Sequence, residues 1–182
     1  MRAEAKKPAG GPTQDEILAI SLRKLGILPG DSILDLGCGT GKVAIAAAGI
    51  ADRVIALDSR PESIRYSKNQ AAEAGRRNIE FHKQEISGFL TKDHRIFDCA
   101  FVGGSRGIAK FLPALVPRIR RTIVVNAVLL STLETTVALM KDLGVFREAV
   151  LIQVSRSREL SGSIMFRPID PVYVIVGAGT AC

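Results

Sequence analysis

The chain has 182 residues, of which 47% are hydrophobic and 24% are charged, a balance typical of a globular protein rather than a disordered or fibrous one. No apolar run approaches the roughly 18 residues that a membrane-spanning helix needs, and the basic start MRAEAKKPAGGP lacks the apolar centre of a signal peptide. We therefore expect a cytoplasmic protein without a membrane partner. Residues 1–10 are expected to form a mobile lead-in and residues 11–182 a single domain.

The 25 basic residues exceed the 18 acidic ones, which gives a formal net charge of +7. This excess favours an anionic partner such as nucleic acid, a membrane surface or a small polycarboxylate, although a basic protein without such a partner is an equally simple interpretation. The three cysteines, Cys38, Cys99 and Cys182, show no Cys-x-x-Cys spacing, and the two histidines lack a metal-ligand pattern. We expect neither a metal site nor a disulfide framework.

Strand-type and helix-type segments alternate along the chain. Capping-box patterns at residues 13–16, 59–62 and 131–134 predict helix starts. The predicted elements, in chain order, are a helix at 13–25, a strand at 32–36, a helix at 42–49, a strand at 53–57, a helix at 59–74, a strand at 78–82, a short weak helix, a strand at 97–102, a helix at 108–119, a strand at 122–128, a helix at 131–144, and strands at 147–155 and 171–176. The pattern predicts an α/β fold whose seven-stranded sheet is mostly parallel, with an antiparallel edge formed by the last two strands.

A glycine-rich turn, Gly37-Cys-Gly-Thr-Gly41, joins the first strand to its helix, and such a turn lets backbone approach a ligand closely. Asp35 precedes the turn, and Asp58 ends the second strand, where a carboxylate can accept both hydroxyls of a ribose. Asp35 would repel a pyrophosphate but would favour a ligand with ammonium and sulfonium charges. The sequence therefore favours S-adenosylmethionine over a dinucleotide or an empty structural turn.

The stretch from Asp35 to Gly41, followed by Asp58, resembles the glycine motif and acidic loop of Rossmann-like class I S-adenosylmethionine-dependent methyltransferases. Further segments resemble the decarboxylating precorrin-6 methyltransferases of corrin (cobalamin, vitamin B12) biosynthesis, a family that includes the cobalt-precorrin-6B C-15 methyltransferases and the C-terminal half of the precorrin-6Y C-5,15-methyltransferases. These segments are Gly-Pro-Thr at 11–13, Val-Gly-Gly-Ser-Arg-Gly at 102–107, Asn-Ala-Val-Leu-Leu at 126–130, Ser-Arg-Ser-Arg at 155–158 and Asp-Pro-Val at 170–172. The resemblance covers about residues 11–177.

This resemblance implies methylation of a polycarboxylate tetrapyrrole at C-15, coupled to loss of carbon dioxide from the acetate chain at C-12. It also implies a homotetramer, and it leaves open a partner methyltransferase that acts at C-5. The conjugated macrocycle can itself accept the electrons that decarboxylation releases, and no acid–base constellation stands out in the sequence. We therefore name no catalytic residue.

The resemblance also assigns site residues. Three glycines of the turn would line the methionine part of the cofactor, Asp58 would bind the ribose, and Glu85 with Ile86 would lie near the adenine. The cofactor residues are Thr13, Asp35, Gly37, Cys38, Gly39, Thr40, Gly41, Asp58, Ser59, Glu85, Ile86 and Gly103. The substrate residues are Gly104, Arg106, Arg156 and Arg158. Arg156 and Arg158 are predicted to alternate on the antiparallel edge of the sheet, so that both can face one side and bind carboxylates. The chain departs from the family pattern at Gln84-Glu85, where Gly-Asp is common, and at Asp170-Pro171, where Asn-Pro is common.

Two other functions remain open from the sequence. An RNA methyltransferase would use the same fold and basic charge, but the chain has no basic stripe with interleaved aromatic residues, and Val102-Gly-Gly-Ser stands where an Asn-Pro-Pro-Tyr motif would be expected. Nucleic acid is therefore an unfavoured partner. The second alternative is a non-enzymatic domain that binds S-adenosylmethionine, because a cofactor site does not by itself fix the chemistry.

Overall fold

A computed structural model describes residues 13–182 as an α/β fold with six α-helices and nine strands. The helices are α1 (Asp15–Leu25), α2 (Lys42–Ala47), α3 (Pro61–Glu73), α4 (Ile86–Lys92), α5 (Leu112–Leu115) and α6 (Leu130–Asp142). The strands are β1 (Ser32–Leu36), β2 (Arg53–Asp58), β3 (Ile79–Lys83), β4 (Phe97–Val102), β5 (Ile119–Ala127), β6 (Phe146–Ile152), β7 (Ser155–Leu160), β8 (Ser163–Pro168) and β9 (Val172–Ala178).

Seven strands form one sheet in the order β3-β2-β1-β4-β5-β9-β6. The five strands from β3 to β5 pair in parallel, and β9 pairs antiparallel with both β5 and β6. The predicted mostly parallel sheet with an antiparallel edge is confirmed. The strand order reverses between β1 and β4, and ligands of open α/β sheets bind at the carboxyl ends of the strands beside such a reversal.

Alternating side chains of the central strands feed two separate cores, because successive residues of a strand point to opposite faces. On one face, Ile33 and Phe101 belong to a cluster that includes apolar residues of α1, α2 and α3. On the other face, Leu34 and Val102 belong to a cluster with apolar residues of α4, α5 and α6. The central strands are therefore buried on both faces, which explains their nearly continuous apolar sequences.

The prediction was wrong in three places. The segment predicted as a helix at 108–119 is two 3-10 turns flanking the one-turn helix α5, because Pro113 and Pro117 lack the amide hydrogen that a continuous helix needs. None of the three predicted capping boxes makes a side-chain cap, and α6 begins at Leu130 after Leu129 rather than at the predicted Ser131.

The third difference is the region between β6 and β9, which was predicted to contain only a loop. It forms a separate antiparallel hairpin, β7 and β8, which we call the arm. Every residue of both arm strands is exposed. Arg156 and Arg158 therefore lie on β7 of the arm and not on the antiparallel edge of the main sheet, where the sequence analysis placed them. The lead-in predicted for residues 1–10 lies outside the described residues.

The turn after β1 crosses the loop after β4 at very short range. Gly37 has φ +77°, and a Cβ atom built on it would lie 2.4 Å from the backbone nitrogen of Gly104. The amide groups of Gly103 and Gly104 both donate to the carbonyl oxygen of Leu36, at 2.9 and 3.0 Å. The Gly103-Gly104 pair is thus explained by this crossing of two backbones, which has room for no side chain. In the described part of the chain, no helix is long and apolar enough to span a membrane.

We expect Gly37→Ala to lower the free energy of unfolding by roughly 2–5 kcal/mol, since it adds left-handed backbone strain of about 1–2 kcal/mol to overpacking of about 1–3 kcal/mol. Gly75→Ala is the matched control, because Gly75 has φ +66° and nothing within 4 Å of its Cβ position. That variant should show the backbone strain alone. Urea denaturation at unchanged m-value measures both, and equal losses for the two variants would contradict the crossing as a steric constraint.

Candidate functional site

The carboxyl ends of β1, β2, β4 and β5 meet at one edge of the sheet, where they border a cleft with a volume of about 560 Å³. This volume is in the range of small-molecule and cofactor sites. The cleft is lined by Thr13, Gln14, Ile17, Gly37, Cys38, Gly39, Thr40, Lys42, Val43, Arg60, Phe101, Gly103, Asn126, Val128, Ile169, Asp170 and Val172.

The backbone amides of the glycine turn are largely used within the protein. Those of Gly37 and Cys38 donate to the carbonyl of Leu57, at 2.9 and 2.8 Å, and that of Gly41 donates to the Cys38 carbonyl at 2.8 Å. The Gly39 amide donates to a carboxylate oxygen of Asp58 at 2.9 Å. Four of the five amides from Gly37 to Gly41 are therefore directed at neighbouring protein groups, and a phosphate cradle, which depends on amides that point at the ligand, is not formed here.

Asp58 lies at the end of β2 and is saturated by donors in this structure. Its Oδ1 accepts from the backbone amide and the Nε of Arg60, both at 3.0 Å, and its Oδ2 accepts from Gly39 and from Nη2 of Arg60 at 3.0 Å. Burial alone would raise the pKa of the Asp58 carboxyl, but these donors outweigh burial and hold the pKa below its ordinary value. Asp58 is thus a fixed negative charge beside the turn, and its four acceptor positions are occupied.

Asp35 lies beneath the turn and is fully buried, with neither carboxylate oxygen hydrogen-bonded. Burial raises the pKa of Asp35 to about 7, an effect that the negative charge of Asp58 increases and the backbone of Ala44 partly offsets. Burial also raises the pKa of the neighbouring Cys38 thiol, as do the charges of Asp35 and Asp58. Cys38 therefore remains a neutral thiol and is not an activated nucleophile.

Lys42, the first residue of α2, connects the turn to the start of α1. Its Nζ donates to the carbonyl oxygen of Thr13 at 2.7 Å and pairs with a carboxylate oxygen of Asp15 at 2.6 Å. Thr13 and Lys42 both line the cleft. The Lys42 side chain thus fastens Thr13, just before α1, to the start of α2.

The opposite wall of the cleft combines one fixed amide with apolar side chains. The Asn126 side chain exchanges hydrogen bonds with the buried hydroxyl of Ser21 in α1, at 3.0 and 3.2 Å. Just past Asn126, the apolar residues Val128, Leu129 and Leu130 are 57%, 65% and 56% exposed. We call these three residues the apolar lip; its first member lines the cleft.

The base of the arm forms part of the same wall. The amide of Ile169 donates to the carbonyl of Val154 at 2.9 Å and closes the base of the hairpin, and Ile169 lines the cleft. Two residues beyond Val154, Arg156 forms a two-pronged ion pair with Glu16 of α1, at 2.6 and 3.2 Å. The arm is therefore held against α1 next to the cleft.

The structure brings one group of the predicted site residues together at the cleft: Thr13, Gly37, Cys38, Gly39, Thr40 and Gly103. Asp35, Gly41 and Asp58 are buried next to the turn, and Gly41 is so close to α3 that a Cβ atom on it would lie 2.6 Å from the Cβ of Ser67. The remaining ones do not line the cleft: Ser59, Glu85, Ile86, Gly104, Arg106, Arg156 and Arg158. Of these, Glu85 comes directly after Gln84, whose backbone N–H donates to the backbone carbonyl of Asp58 at 3.1 Å and so joins this loop to the end of β2.

Several lining residues were not predicted from the sequence. Asn126 had a usable signal, because it is a polar residue near the end of an otherwise apolar strand. Lys42 and Arg60 follow the glycine turn and Asp58 closely, but nothing in their spacing shows that Lys42 reaches back to Thr13 or that Arg60 covers Asp58. Among residues 13–182, no group of three or more His, Cys, Asp or Glu side chains is placed to hold a metal ion.

Comparison with known proteins gives a consistent result. The model of the precorrin methyltransferase domain family matches residues 7–177. A relative from Methanosarcina acetivorans is 44% identical over 179 residues, which is 96% of this chain and 97% of the relative, and one from Methanosarcina mazei is 42% identical with the same coverage. Both are named "probable cobalt-precorrin-6B C(15)-methyltransferase (decarboxylating)".

Solved structures agree with the sequence matches. A protein of Methanobacterium thermoautotrophicum described as precorrin 8W decarboxylase superposes with a TM-score of 0.87 at 29% identity, covering 92% of this chain and 91% of that one. The precorrin-6y C5,15-methyltransferase of Geobacter metallireducens also gives a TM-score of 0.87, at 26% identity and with coverage of 95% and 94%. The fold is thus the Rossmann-like fold of these enzymes, and the chain belongs to the precorrin methyltransferase domain family.

Proposed function

We propose that this protein transfers a methyl group from S-adenosylmethionine to C-15 of cobalt-precorrin-6B, or of its metal-free form, and that the transfer is coupled to decarboxylation of the acetate chain at C-12. Family membership and the close relatives support the reaction class. We assign only C-15 to this chain; methylation at C-5 would belong to a separate partner enzyme. The free thiols Cys38, Cys99 and Cys182 fit a reducing compartment such as the cytoplasm.

The cofactor assignment is carried by the way the glycine turn uses its amides. A dinucleotide needs those amides for its pyrophosphate, yet four of the five are already bonded to protein acceptors, and two carboxylates lie beside them. A ligand with positive charges needs no amide cradle and is attracted by Asp35 and Asp58. These features fit S-adenosylmethionine, which carries a sulfonium and an ammonium group.

We propose that Gly37, Gly39 and Thr40 contact the methionine part, that Asp58 accepts the ribose hydroxyls, and that Thr13 covers the cofactor. Because Arg60 and Gly39 fill the acceptor positions of Asp58, the ribose can be accepted only when the Arg60 side chain gives up at least one of its bonds. Further contacts are proposed for Cys38, Gly41, Ser59, Glu85, Ile86 and Gly103. Asp35 acts from below the turn through its charge.

S-adenosylmethionine, when bound, supplies an electrophilic methyl group. The contribution of the chain to this reaction is to hold the reacting atoms in line and to exclude water. Ile17, Phe101 and Val128 provide apolar surface in the cleft, and the Asn126 amide, held by Ser21, is a fixed polar group on the substrate side. The carbon–carbon bond to the departing carboxylate breaks as carbon dioxide leaves, and the macrocycle takes up the electron pair, so we assign no general acid or base.

The substrate side of the cleft suits a flat ring that carries many carboxylates. The apolar lip and Gly104 offer surface to the ring, and Arg106, Arg156 and Arg158 are exposed cations for its carboxylates. The net charge of +7 would also steer a polyanion towards the protein.

The activity test uses methyl-labelled S-adenosylmethionine with precorrin-6B and, separately, with its cobalt form. We expect label in the tetrapyrrole and an equal amount of carbon dioxide. Asp58→Ala should lose incorporation at limiting cofactor, whereas Asp52→Ala, the same change at an exposed aspartate before β2, should not. Cofactor binding without either product would identify a non-enzymatic binding domain, and label transferred to added RNA would identify an RNA methyltransferase.

The charge of Asp35 predicts a pH dependence of cofactor binding. Because its pKa in the free protein is about 7, Asp35 is largely protonated at pH 5.5 and must lose this proton to attract a cation. Affinity should therefore rise between pH 5.5 and 7.0, by at most about tenfold per pH unit. Titration calorimetry should show this rise in the wild type and in Asp52→Asn, and not in Asp35→Asn. An unchanged pH dependence in Asp35→Asn would remove Asp35 from the site.

We further propose that the chain assembles as a homotetramer through the face of the arm that carries Ile164 and Phe166. Ile164 and Phe166 are 74% and 67% exposed there, more than a stable monomer usually leaves uncovered at neighbouring positions. The double variant Ile164→Glu, Phe166→Glu should sediment as a smaller species than the wild type in analytical ultracentrifugation. Leu28→Glu, a change at an exposed leucine outside the arm, should keep the wild-type mass. A wild type that sediments as a monomer would contradict the proposal.

A further inference from the structure

The two faces of the arm carry different chemistry. In the antiparallel register, Arg156 pairs with Arg167, and Arg158 pairs with Met165. Directly opposed residues lie on the same face of a hairpin, and alternate residues of each strand share that face. Arg156, Arg158 and Arg167 therefore lie on one face, which we call the arginine face. Ile164 and Phe166 lie on the other.

The arginine face is turned towards α1, beside the cleft. Arg156 reaches Glu16 of α1, so this face looks at the protein body. The hairpin register continues one step beyond the strands, because the Ile169 amide donates to the Val154 carbonyl. Ile169 is two residues from Arg167 and so shares its face, and Ile169 lines the cleft. The arginine face is thus a continuation of the cleft wall.

The opposed pair of Arg156 and Arg167 is unfavourable unless an anion lies beside it, because like charges directly across a hairpin repel. Glu16 supplies one carboxylate in this structure, and it takes the two-pronged geometry in which a guanidinium binds a carboxylate. Neither Arg158 nor Arg167 has an ion pair of its own among the described residues. Among the described residues, Glu16 therefore forms an ion pair with only one of the three arginines of this face.

We infer that the arginine face is a binding subsite for carboxylate side chains of the tetrapyrrole, that Arg167 is one of its members, and that the Glu16 carboxylate takes the place of a substrate carboxylate at Arg156. This inference rests on the proposed function for the identity of the ligand. Glu16 acts as an internal competitor: a substrate carboxylate that binds Arg156 displaces it. Glu16 thereby keeps the guanidinium of Arg156 against α1, next to the cleft, while no substrate is bound.

The inference predicts opposite effects for the two partners of one ion pair. The probe is uroporphyrin I, a fluorescent tetrapyrrole with eight carboxylates, and its anisotropy is measured with the full chain at constant ionic strength. Arg156→Gln and Arg167→Gln should each weaken binding roughly three- to fivefold, as expected for the loss of an exposed charged contact. Glu16→Gln should strengthen binding about threefold or more, because the competitor is gone.

Matched controls separate this effect from net charge. Arg147→Gln removes the same charge from an exposed position at the other end of the sheet, where β6 begins, and should change binding less than about twofold. Glu159→Gln removes an acidic group from the opposite face of the arm and should also have little effect. Thermal unfolding of each variant verifies that it is folded.

Two results would overturn the inference. In the first, Arg167→Gln binds the probe as well as Arg147→Gln does. In the second, Glu16→Gln weakens binding as Arg156→Gln does, which is the pattern of an ion pair that only holds the arm in place. The measurement needs neither cofactor nor turnover, so a chain that shows the predicted pattern without methylating precorrin-6B would keep the subsite and lose the proposed reaction. A chain that methylates precorrin-6B without the predicted binding pattern would keep the proposed reaction and lose the subsite.

Discussion

The crossing of two backbones at Gly37 and Gly104 is the constraint on which the rest of the site depends. The carbonyl oxygen of Leu36 accepts both amides of the Gly103-Gly104 pair, and the carbonyl oxygen of Leu57 accepts two amides of the glycine turn. β1 and β2 therefore each end by bonding to the loop that follows a neighbouring strand. These bonds hold β1, β2 and β4 together at their carboxyl ends, and the backbone crossing at Gly37 and Gly104 leaves no room for a side chain beside the cleft.

This anchoring also decides what the turn can bind. A glycine turn whose amides are directed at strand carbonyls keeps its shape without a ligand, but it has few donors left to offer to one. Charge then becomes the main determinant of recognition. Asp58 is kept ionised by its four donors, whereas burial of Asp35 outweighs the opposing effect of the Ala44 backbone and raises its pKa to about 7. The two carboxyl groups thus differ in pKa because hydrogen bonds outweigh burial at Asp58 and burial outweighs them at Asp35.

The sequence predicted those parts of the fold that bury apolar residues. The bounds predicted for β1 and β4 agree with the structure, because each is a short apolar run between turn residues. The arm was not predicted, since its strands bury nothing: β7 is mostly polar, and the apolar run in β8 does not alternate with polar residues. The helix predicted at 108–119 does not form as one helix, because Pro113 and Pro117 lack the amide hydrogen that a continuous helix needs.

The candidate site likewise has one part that could be predicted from the sequence and one part that could not. The glycine turn with Asp35 and Asp58 is visible in the sequence because its members are close together or end a strand. The contacts between distant segments are not visible, since Arg156 and Glu16 are 140 residues apart and Asn126 and Ser21 are 105 apart. The sequence analysis identified Arg156 and Arg158 by resemblance, but it had no means to place Arg167 on their face, because that placement depends on the hairpin register.

The contact between Lys42 and Thr13 depends on the side chain of residue 42 but not on that of residue 13. Lys42 bonds to the peptide carbonyl of residue 13, and any amino acid at that position would present the same acceptor. The fastening of the segment and the side chain displayed there are therefore independent of each other. A substitution at residue 13 can therefore change the side chain at the cleft while its backbone carbonyl still accepts from Lys42. A substitution that removes the Lys42 amino group breaks this hydrogen bond and leaves the side chain of residue 13 unchanged.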